Sequence, residues 1–211
     1  MSEILLKAQV LATARAMNAS GINRGSAGNV SVRSDDGFII TPTGMAYGGC
    51  TEDDMVFVGL DGTVRGQRKP SSEWRFHRDI YAARPEAGAI IHTHSPFATS
   101  LACMEAEIGP FHYMIARFGG KTVRCAAYAT FGSQVLSDAM LEALTERSAC
   151  LMAHHGMVVF GPDVDKTLDL AVELETLCEQ YWRVLQIGGP KLIADDEMDR
   201  VLEKFKSYGQ Q

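Results

Sequence analysis

Apolar residues in the opening segment recur at helical spacing. Between residues 3 and 19 they fall every three or four positions, and the pattern stops just before Gly21. The apolar positions are Ile4, Leu5, Ala8, Leu11, Ala12 and Met17. Because residues three and four apart share one face of a helix, this spacing predicts an amphipathic helix.

The next segment changes to short apolar runs that are separated by turn residues. Asp35-Asp36-Gly37 separates two such runs, and Asp61-Gly62 separates a second pair. Asp-Gly pairs favour the tight turns that join antiparallel strands. We therefore predict two β-hairpins, with strands within 25–33 and 38–41 and within 55–58 and 62–64.

Amphipathic stretches alternate with apolar runs through the rest of the chain. They predict helices at 72–84, 96–105, 133–146 and 163–187, and strands near 87–93, 122–128, 149–154 and 157–160. The tail from Asp195 is predicted to be helical as far as Lys206. Helices that alternate with strands, without internal repeats, indicate a single layered domain of the α/β or α+β class, which we place at residues 1–211.

Composition and charge exclude several classes of protein. The 211 residues carry a net charge of -6 and the basic residues are dispersed, so we expect no nucleic-acid partner. No apolar stretch approaches the roughly 18 residues of a membrane span, so we expect no membrane partner. The five cysteines include no C-x-x-C pair, which favours a reducing compartment and predicts a cytoplasmic protein.

The most informative polar residues are histidines at the ends of two apolar runs. Side chains two apart on a strand point to the same face, so His92 and His94 could bind a divalent metal ion together. His154 and His155 follow a second apolar run. Adjacent residues on a strand point to opposite faces, so only one of them can join the cluster, and the spacing does not choose between them. The alternative is that these histidines only form hydrogen bonds at strand ends.

Ser71, Ser72 and Glu73 stand where a helix is predicted to begin. Hydroxyl groups and free amides at a helix N-terminus can hold a phosphate group. The turn-prone pairs Gly28-Asn29 and Thr43-Gly44 could add backbone N–H groups to the same pocket. Each motif alone is also typical of ordinary turns and helix starts, where acidic residues are favoured by the helix dipole.

Two further residues have ordinary explanations. His77 lies four residues after Glu73, so a Glu-x-x-x-His metal pair is conceivable, but we expect a histidine on the helix surface. Tyr113 follows the loop-forming Gly109-Pro110 and is either a core residue or a proton donor.

Motifs spread along almost the whole chain resemble the class II aldolase and adducin family, and most closely its bacterial L-fuculose-1-phosphate aldolase branch. They keep a compatible spacing throughout. The motifs are S-A-G-N-V-S at 26–31, I-T-P-T-G at 40–44, P-S-S-E-W-R-F-H at 70–77, H-T-H at 92–94, H-Y-M-I at 112–115, Y-A-T-F-G at 128–132, H-H-G at 154–156 and L-E-K-F-K-S-Y-G at 202–209.

The resemblance implies a central, mostly antiparallel β-sheet flanked by α-helices in three αβα layers. It implies a C4 homotetramer with active sites between subunits, and one zinc ion per subunit for which cobalt or manganese could substitute. The implied ligands are His92, His94 and His155, with Glu73 as a fourth ligand that the substrate displaces. His154 would then face away from the metal.

The resemblance also assigns the rest of the site. The implied phosphate-binding residues are Gly28, Asn29, Thr43, Gly44, Ser71 and Ser72. Tyr113, and Tyr208 of a mobile tail at about 195–211, would act in the site of a neighbouring subunit. Phe131 and Phe205 would line the pocket for the aldehyde.

The implied activity is the reversible cleavage of a ketose 1-phosphate to dihydroxyacetone phosphate and an aldehyde. The ketose would be L-fuculose 1-phosphate or a related 5-deoxy or 5-methylthio pentulose 1-phosphate. Glu73 would transfer the proton at the carbon whose negative charge the metal stabilises, and Tyr113 would transfer the proton of the aldehyde oxygen. Arg117 and Phe118 are bulkier than we expect for the fuculose enzyme, so a different aldehyde pocket is expected.

Other functions stay open on the sequence. The same scaffold could serve a sugar-phosphate 4-epimerase or a methylthioribulose-1-phosphate dehydratase. From other classes, the chain could be a zinc hydrolase or a non-catalytic interaction domain like the adducin head. A Schiff-base aldolase is disfavoured, because none of the seven lysines lies in an apolar strand.

Overall fold

An eight-stranded sheet forms the centre of the protein in a computed structural model, which describes residues 2–207. The strands lie in the spatial order β4-β3-β2-β1-β5-β8-β7-β6, and every neighbouring pair is antiparallel except β6 and β7. Their bounds are β1 Asn29–Ser34, β2 Gly37–Ile40, β3 Val56–Gly59, β4 Val64–Arg65, β5 Ala89–Thr93, β6 Cys125–Ala126, β7 Ala149–Met152 and β8 Gly156–Gly161.

Six α-helices accompany the sheet within residues 2–207. They are α1 Glu3–Ala19, α2 Trp74–Ala83, α3 Pro96–Ala102, α4 Gln134–Ala143, α5 Val164–Gln186 and α6 Asp195–Phe205. Each lies within a segment predicted to be helical. The sequence did not predict the 3₁₀ helix at Tyr113–Phe118, and the strand predicted at 122–128 is paired only over the two residues of β6.

Side chains alternate between the two faces of the sheet, and each face carries its own apolar core. Along β5, Ala89 and Ile91 pack in the core with α1, α3 and α5, whereas Ile90 packs in the core with α2 and α4. The alternation follows from the two-residue period of a strand. The helices therefore form the outer layers of a three-layer αβα arrangement, which confirms the predicted fold class. Within residues 2–207, no helix is both long enough and apolar enough to cross a membrane.

Glu175 on α5 fixes the start of α3, the helix that follows His94. Its carboxylate accepts hydrogen bonds from Ser95 Oγ and from the backbone N–H groups of Phe97 and Ala98, each at 2.8 Å. An anion at a helix N-terminus satisfies N–H groups that have no partner within the helix. This contact ties the chain just after His94 to a long core helix.

Replacing Glu175 with Gln is expected to lower the free energy of unfolding by about 2 kcal/mol, because hydrogen bonds to charged groups contribute about 1.5–3 kcal/mol and an amide cannot accept all three. The matched control is Glu173→Gln on the same helix, which removes only a 3.4 Å contact with Arg117. Urea denaturation measures both variants. Equal losses would contradict the anchoring role of Glu175.

Candidate active site and metal centre

Three histidines and one glutamate converge at one end of the central strands. His92 lies on β5, His94 follows that strand, His155 lies in the turn between β7 and β8, and Glu73 directly precedes α2. Because β5 and β8 are antiparallel, with Thr93 paired to Met157, the end of β5 lies beside this turn. The four ligand atoms lie within 4.8 Å of one another, and the three imidazole rings are 4.8–4.9 Å apart between centroids.

His155 joins this cluster and His154 does not. The Nε2 atom of His155 lies 3.0 Å from Glu73 Oε1. His154 adopts a left-handed backbone conformation with a φ of 54°, and its half-exposed ring contacts Glu105 Oε1 at 3.0 Å. A left-handed residue in the turn reverses the side-chain direction that an extended strand would give, so strand alternation alone could not choose between the two.

The hydrogen bonds of His92 show that the cluster suits a cation. Its Nδ1 lies 2.9 Å from the Met157 carbonyl oxygen, which can only accept, so Nδ1 carries a proton and, in the neutral form of the ring, Nε2 holds a lone pair. This buried Nε2 lies 3.1 Å from Glu73 Oε2 and, within residues 2–207, has no hydrogen-bond partner. Two electron-pair donors facing each other need a positive charge between them. Three imidazoles and one carboxylate are a donor set that a divalent ion such as zinc accepts.

Burial and neighbouring charges set the protonation of the cluster. Burial alone raises the pKa of Glu73, but a proton on His92, whose place a metal ion would take, and the hydrogen bond from His155 outweigh burial and hold that pKa well below its usual value. Burial, together with repulsion from His92 and His155, lowers the pKa of His94 to about 4. At neutral pH Glu73 is ionised and His94 is neutral, which are the forms that bind a metal ion.

Two glycines allow the backbone to pack closely around the cluster. A Cβ atom on Gly28 would lie 2.5 Å from the His92 carbonyl oxygen, and one on Gly156 would lie 2.3 Å from the Thr93 carbonyl oxygen. The N–H of Gly28 donates to Asn23 Oδ1 at 2.9 Å. Its hydrogen bonding therefore supports a packing role and gives no support to the predicted contact between this N–H and phosphate.

The predicted phosphate segments lie side by side next to Glu73. The N–H of Thr43 donates to the Lys69 carbonyl at 3.1 Å, and the N–H of Ser71 donates to the Thr41 carbonyl at 3.0 Å. Ser71 is buried and its Oγ accepts from the Glu73 N–H at 3.3 Å. Thr43, Gly44 and Ser72 are exposed. The two segments are thus brought together, and the backbone N–H groups of Thr43 and Ser71 already donate within the protein, so the hydroxyl groups of Thr43 and Ser72 are the groups that stay exposed.

A cavity of about 290 Å³ opens onto the cluster. Glu73, His94 and His155 lie in its wall together with Ser72. The other lining residues are small or aromatic, apart from His154 at its edge, and they are Ala27, Tyr128, Ala129 and Phe131. The rings of Tyr128 and Phe131 are more than half exposed. A small molecule in this cavity would meet the candidate metal ligands, a hydroxyl group and an apolar surface.

Comparison with known families identifies the chain. Residues 8–182 match the Class II Aldolase and Adducin N-terminal domain. The chain belongs to the class II aldolase and adducin family. Among its relatives, the 5-methylthioribulose-1-phosphate/5-deoxyribulose-1-phosphate aldolase of Rhodospirillum rubrum is 52% identical over 99% of this chain and 94% of the relative. The L-fuculose phosphate aldolase of Escherichia coli is 43% identical over 97% of this chain and 95% of the relative.

Solved structures agree with these relatives. An L-fuculose 1-phosphate aldolase has a TM-score of 0.92, with 34% identity over 95% of this chain and 96% of that chain. The aldolase relatives support the conclusion that this chain functions as a class II aldolase. Aldolases of this class are lyases. Class II aldolases use a divalent metal, and the cluster of one glutamate and three histidines could hold one.

Two of the remaining predicted residues, Tyr113 and Phe205, lie apart from the candidate metal site. The ring of Tyr113 is half exposed and stacks on Phe205, with centroids 6.4 Å apart. Both residues line a separate cavity against α6, and neither lines the cavity of the cluster within residues 2–207. Phe131 does line that cavity. Tyr208 lies outside the described residues.

Two expectations were wrong. His77 is not on the helix surface but fully buried, because its face of α2 packs against the sheet, and its Nε2 lies 2.6 Å from Asn29 Oδ1. Phe118 is fully buried in the core beside α5, and Arg117 pairs with Glu173. The 3₁₀ turn directs Phe118 inward, so it does not shape a pocket for the aldehyde.

Proposed function

We propose that the chain is a metal-dependent aldolase that cleaves a ketose 1-phosphate reversibly to dihydroxyacetone phosphate and an aldehyde. The observation that carries the proposal is the cluster of three imidazoles and one buried carboxylate in the wall of a cavity that also holds Ser72. The names of the relatives at 43–52% identity support the same reaction.

His92, His94, His155 and Glu73 are the proposed metal ligands, and zinc is the proposed ion, with cobalt or manganese as substitutes. A divalent ion held by three neutral imidazoles would keep its full charge and would supply stabilisation for the negative charge that develops on C3 when the C3–C4 bond breaks. Glu73 is proposed to leave the metal when substrate binds and to exchange the proton at C3. Its low pKa fits a group that is ionised in the resting protein.

Phosphate binding is proposed for the segments beside Glu73. The residues are Gly28, Asn29, Thr43, Gly44, Ser71 and Ser72. Their support is the antiparallel pairing of 41–43 with 69–71 and the exposure of Thr43, Gly44 and Ser72 next to the cluster. Binding energy from a remote phosphate can hold the reacting carbons in register.

The substituent on the carbonyl carbon of the aldehyde product is proposed to be apolar. Phe131, Tyr128 and two alanines surround the cavity, and the relative at 52% identity is named for 5-methylthio and 5-deoxy pentulose 1-phosphates. A 5-deoxypentulose 1-phosphate releases acetaldehyde, whereas L-fuculose 1-phosphate releases the more polar lactaldehyde. We therefore rank the two pentulose phosphates above L-fuculose 1-phosphate.

A substrate panel tests this ranking. The kcat/KM for cleavage is compared among the two pentulose 1-phosphates, L-fuculose 1-phosphate and unphosphorylated 5-deoxyribulose, with the released aldehyde as the measured product, because the unphosphorylated ketose would release dihydroxyacetone and not its phosphate. The proposal expects the two pentulose phosphates to be cleaved best and the unphosphorylated sugar at least about 100-fold less well, since it loses the phosphate contacts. Equal cleavage of the phosphorylated and unphosphorylated ketoses would contradict the proposed phosphate pocket.

Tyr113 and Tyr208 are proposed to act in the site of a neighbouring subunit of a C4 tetramer, where Tyr113 exchanges the proton of the aldehyde oxygen and Phe205 helps to line the aldehyde pocket. The support is that Tyr113 is half exposed and does not line the cavity of its own metal cluster within the described residues. We also propose that residues 1–211 are one domain, because one sheet contains all eight strands of the described residues 2–207. The protein is proposed to work in the cytoplasm, because its five cysteines are unpaired.

Mixing two inactive variants tests the shared site. Tyr113→Phe and His92→Ala are each expected to be inactive alone, because each lacks one half of every site. Tetramers formed at random from equal amounts of both are expected to recover about a quarter of the sites, since one interface in four joins intact halves. Coexpression with two affinity tags and an assay of the doubly tagged protein measures this. No recovery in doubly tagged tetramers would place Tyr113 and the metal in the same chain.

A further inference from the structure

A continuous series of buried hydrogen bonds connects α2 and β1 to Glu73. Tyr81 OH lies 2.9 Å from Ser31 Oγ, and Ser31 Oγ lies 2.7 Å from His77 Nδ1. His77 Nε2 lies 2.6 Å from Asn29 Oδ1, and Asn29 Nδ2 donates to Glu73 Oε2 at 2.9 Å. All five residues are at most 6% exposed. The proposed reaction gives roles to Asn29 and Glu73 but none to the other three.

The carboxylate at one end fixes the direction of every bond. An ionised carboxylate only accepts, so the Asn29 NH₂ group faces Glu73 and the Asn29 oxygen faces His77. The Asn29 oxygen also only accepts, so His77 carries its proton on Nε2. The Nδ1 atom of a neutral ring is then an acceptor, so Ser31 donates to it and accepts from Tyr81 in turn. One arrangement of protons satisfies the whole series.

We propose that His77 is a positioning residue for Glu73, which holds the Asn29 amide in the one orientation that donates to the carboxylate. The proposal rests on the proposed function of Glu73. If the Nε2 donor were lost, the Asn29 amide could turn over and place its oxygen against the carboxylate. With the amide fixed, Asn29 binds Glu73 Oε2, while Oε1 lies 3.0 Å from His155. The carboxylate is therefore held between a neutral donor and the metal ligands.

Burial keeps the titratable groups of this hydrogen-bond series, His77 and Tyr81, neutral. Burial lowers the pKa of His77 to about 3 and raises the pKa of Tyr81 well above its usual value. Neither group titrates near neutral pH, so the direction of the bonds does not change there. The series of hydrogen bonds thus orients Glu73 and does not deliver protons to it.

The tautomer of His77 is the first test, and it does not depend on activity. Two-bond ¹⁵N–¹H correlation spectra of the zinc-loaded protein distinguish the two neutral rings, and the His77 signals are assigned by their loss in a His77→Gln variant. We expect a neutral ring with its proton on Nε2 at pH 7. A proton on Nδ1, or a cationic ring, would overturn the proposal.

Two variants of similar size test the positioning role. The Gln amide reaches the position of Nε2 and can still donate to Asn29, whereas the shorter Asn amide reaches only the position of Nδ1. We expect His77→Gln to keep kcat within about fivefold and His77→Asn to lower it by roughly 10- to 100-fold, because a buried acceptor loses its donor. Tyr81→Phe, which removes only the far end of the series, should lower kcat by a few-fold at most.

Zinc affinity supplies a readout that is independent of turnover. Because Glu73 is a proposed ligand, the zinc dissociation constant should rise in His77→Asn by about the same order as kcat falls, and should stay near the wild-type value in His77→Gln. Equal effects of Asn and Gln in folded proteins would overturn the proposal. If the Asn variant does not fold, a loss of more than about tenfold in the Gln variant would do so. A wild-type protein that releases no dihydroxyacetone phosphate would instead refute the proposed function, while the tautomer and the zinc affinities would still decide the role of His77.

Discussion

Glu73→Gln is expected to lower kcat by about 10³-fold while zinc stays bound, because positioned proton transfer contributes typically 10²–10⁴-fold. Three imidazoles remain to hold the ion, and a neutral amide of the same shape can still accept from Asn29. What is lost is the only carboxylate of the cluster among the described residues. Steady-state kinetics and zinc content by elemental analysis measure the two effects separately.

Glu105→Gln is the matched control for this variant. Glu105 also lies 3.0 Å from a histidine, but that histidine is His154, which is outside the cluster. The control variant should keep its kcat within about twofold, as exposed ion pairs contribute little. If Glu73→Gln kept more than a tenth of the wild-type kcat, Glu73 would not be the group that transfers the proton.

Removal of the metal is expected to abolish activity reversibly. The His92→Ala substitution is expected to abolish activity in a way that added metal does not restore. Chelation leaves the site intact, so added zinc, cobalt or manganese should restore activity to the wild type. In His92→Ala the buried Nε2 donor is absent, so excess zinc should restore little. Catalytic zinc sites usually have three protein ligands, so a site that has lost one of its histidines should bind zinc much more weakly.

His154→Ala separates the ligand histidines from their neighbour. His154 lies next to His155 in the sequence and at the edge of the same cavity, but its ring pairs with Glu105. This variant should bind one zinc per chain with wild-type affinity. Normal zinc binding by His92→Ala, or its loss in His154→Ala, would contradict the ligand assignment.

Sequence patterns predicted the elements that carry the cluster because their signals are local. The apolar run before His92 predicts β5, and the two-residue period places His92 and His94 together. The choice of His155 over His154 is not local in this way. It depends on a left-handed residue in the turn after β7, and no apolar or polar period reports such a residue.

The environment of Glu73 was also hard to predict, because it is not determined by a local sequence pattern. The sequence places His77 one helical turn after Glu73, but which face of α2 is buried depends on strands that lie more than 30 residues away in the chain. Phe118 shows the opposite error. Its burial follows from a short 3₁₀ turn without a strong sequence signal, so a core residue was interpreted as a pocket residue.

The identity of the products tests the central claim most directly. Zinc-loaded protein is incubated with 5-deoxyribulose 1-phosphate, and dihydroxyacetone phosphate is measured by coupled NADH oxidation while acetaldehyde is measured separately. We predict equal amounts of the two products, and none from protein treated with a chelator. Consumption of the ketose without dihydroxyacetone phosphate, to give an epimer, a dehydrated sugar phosphate or inorganic phosphate, would contradict the account.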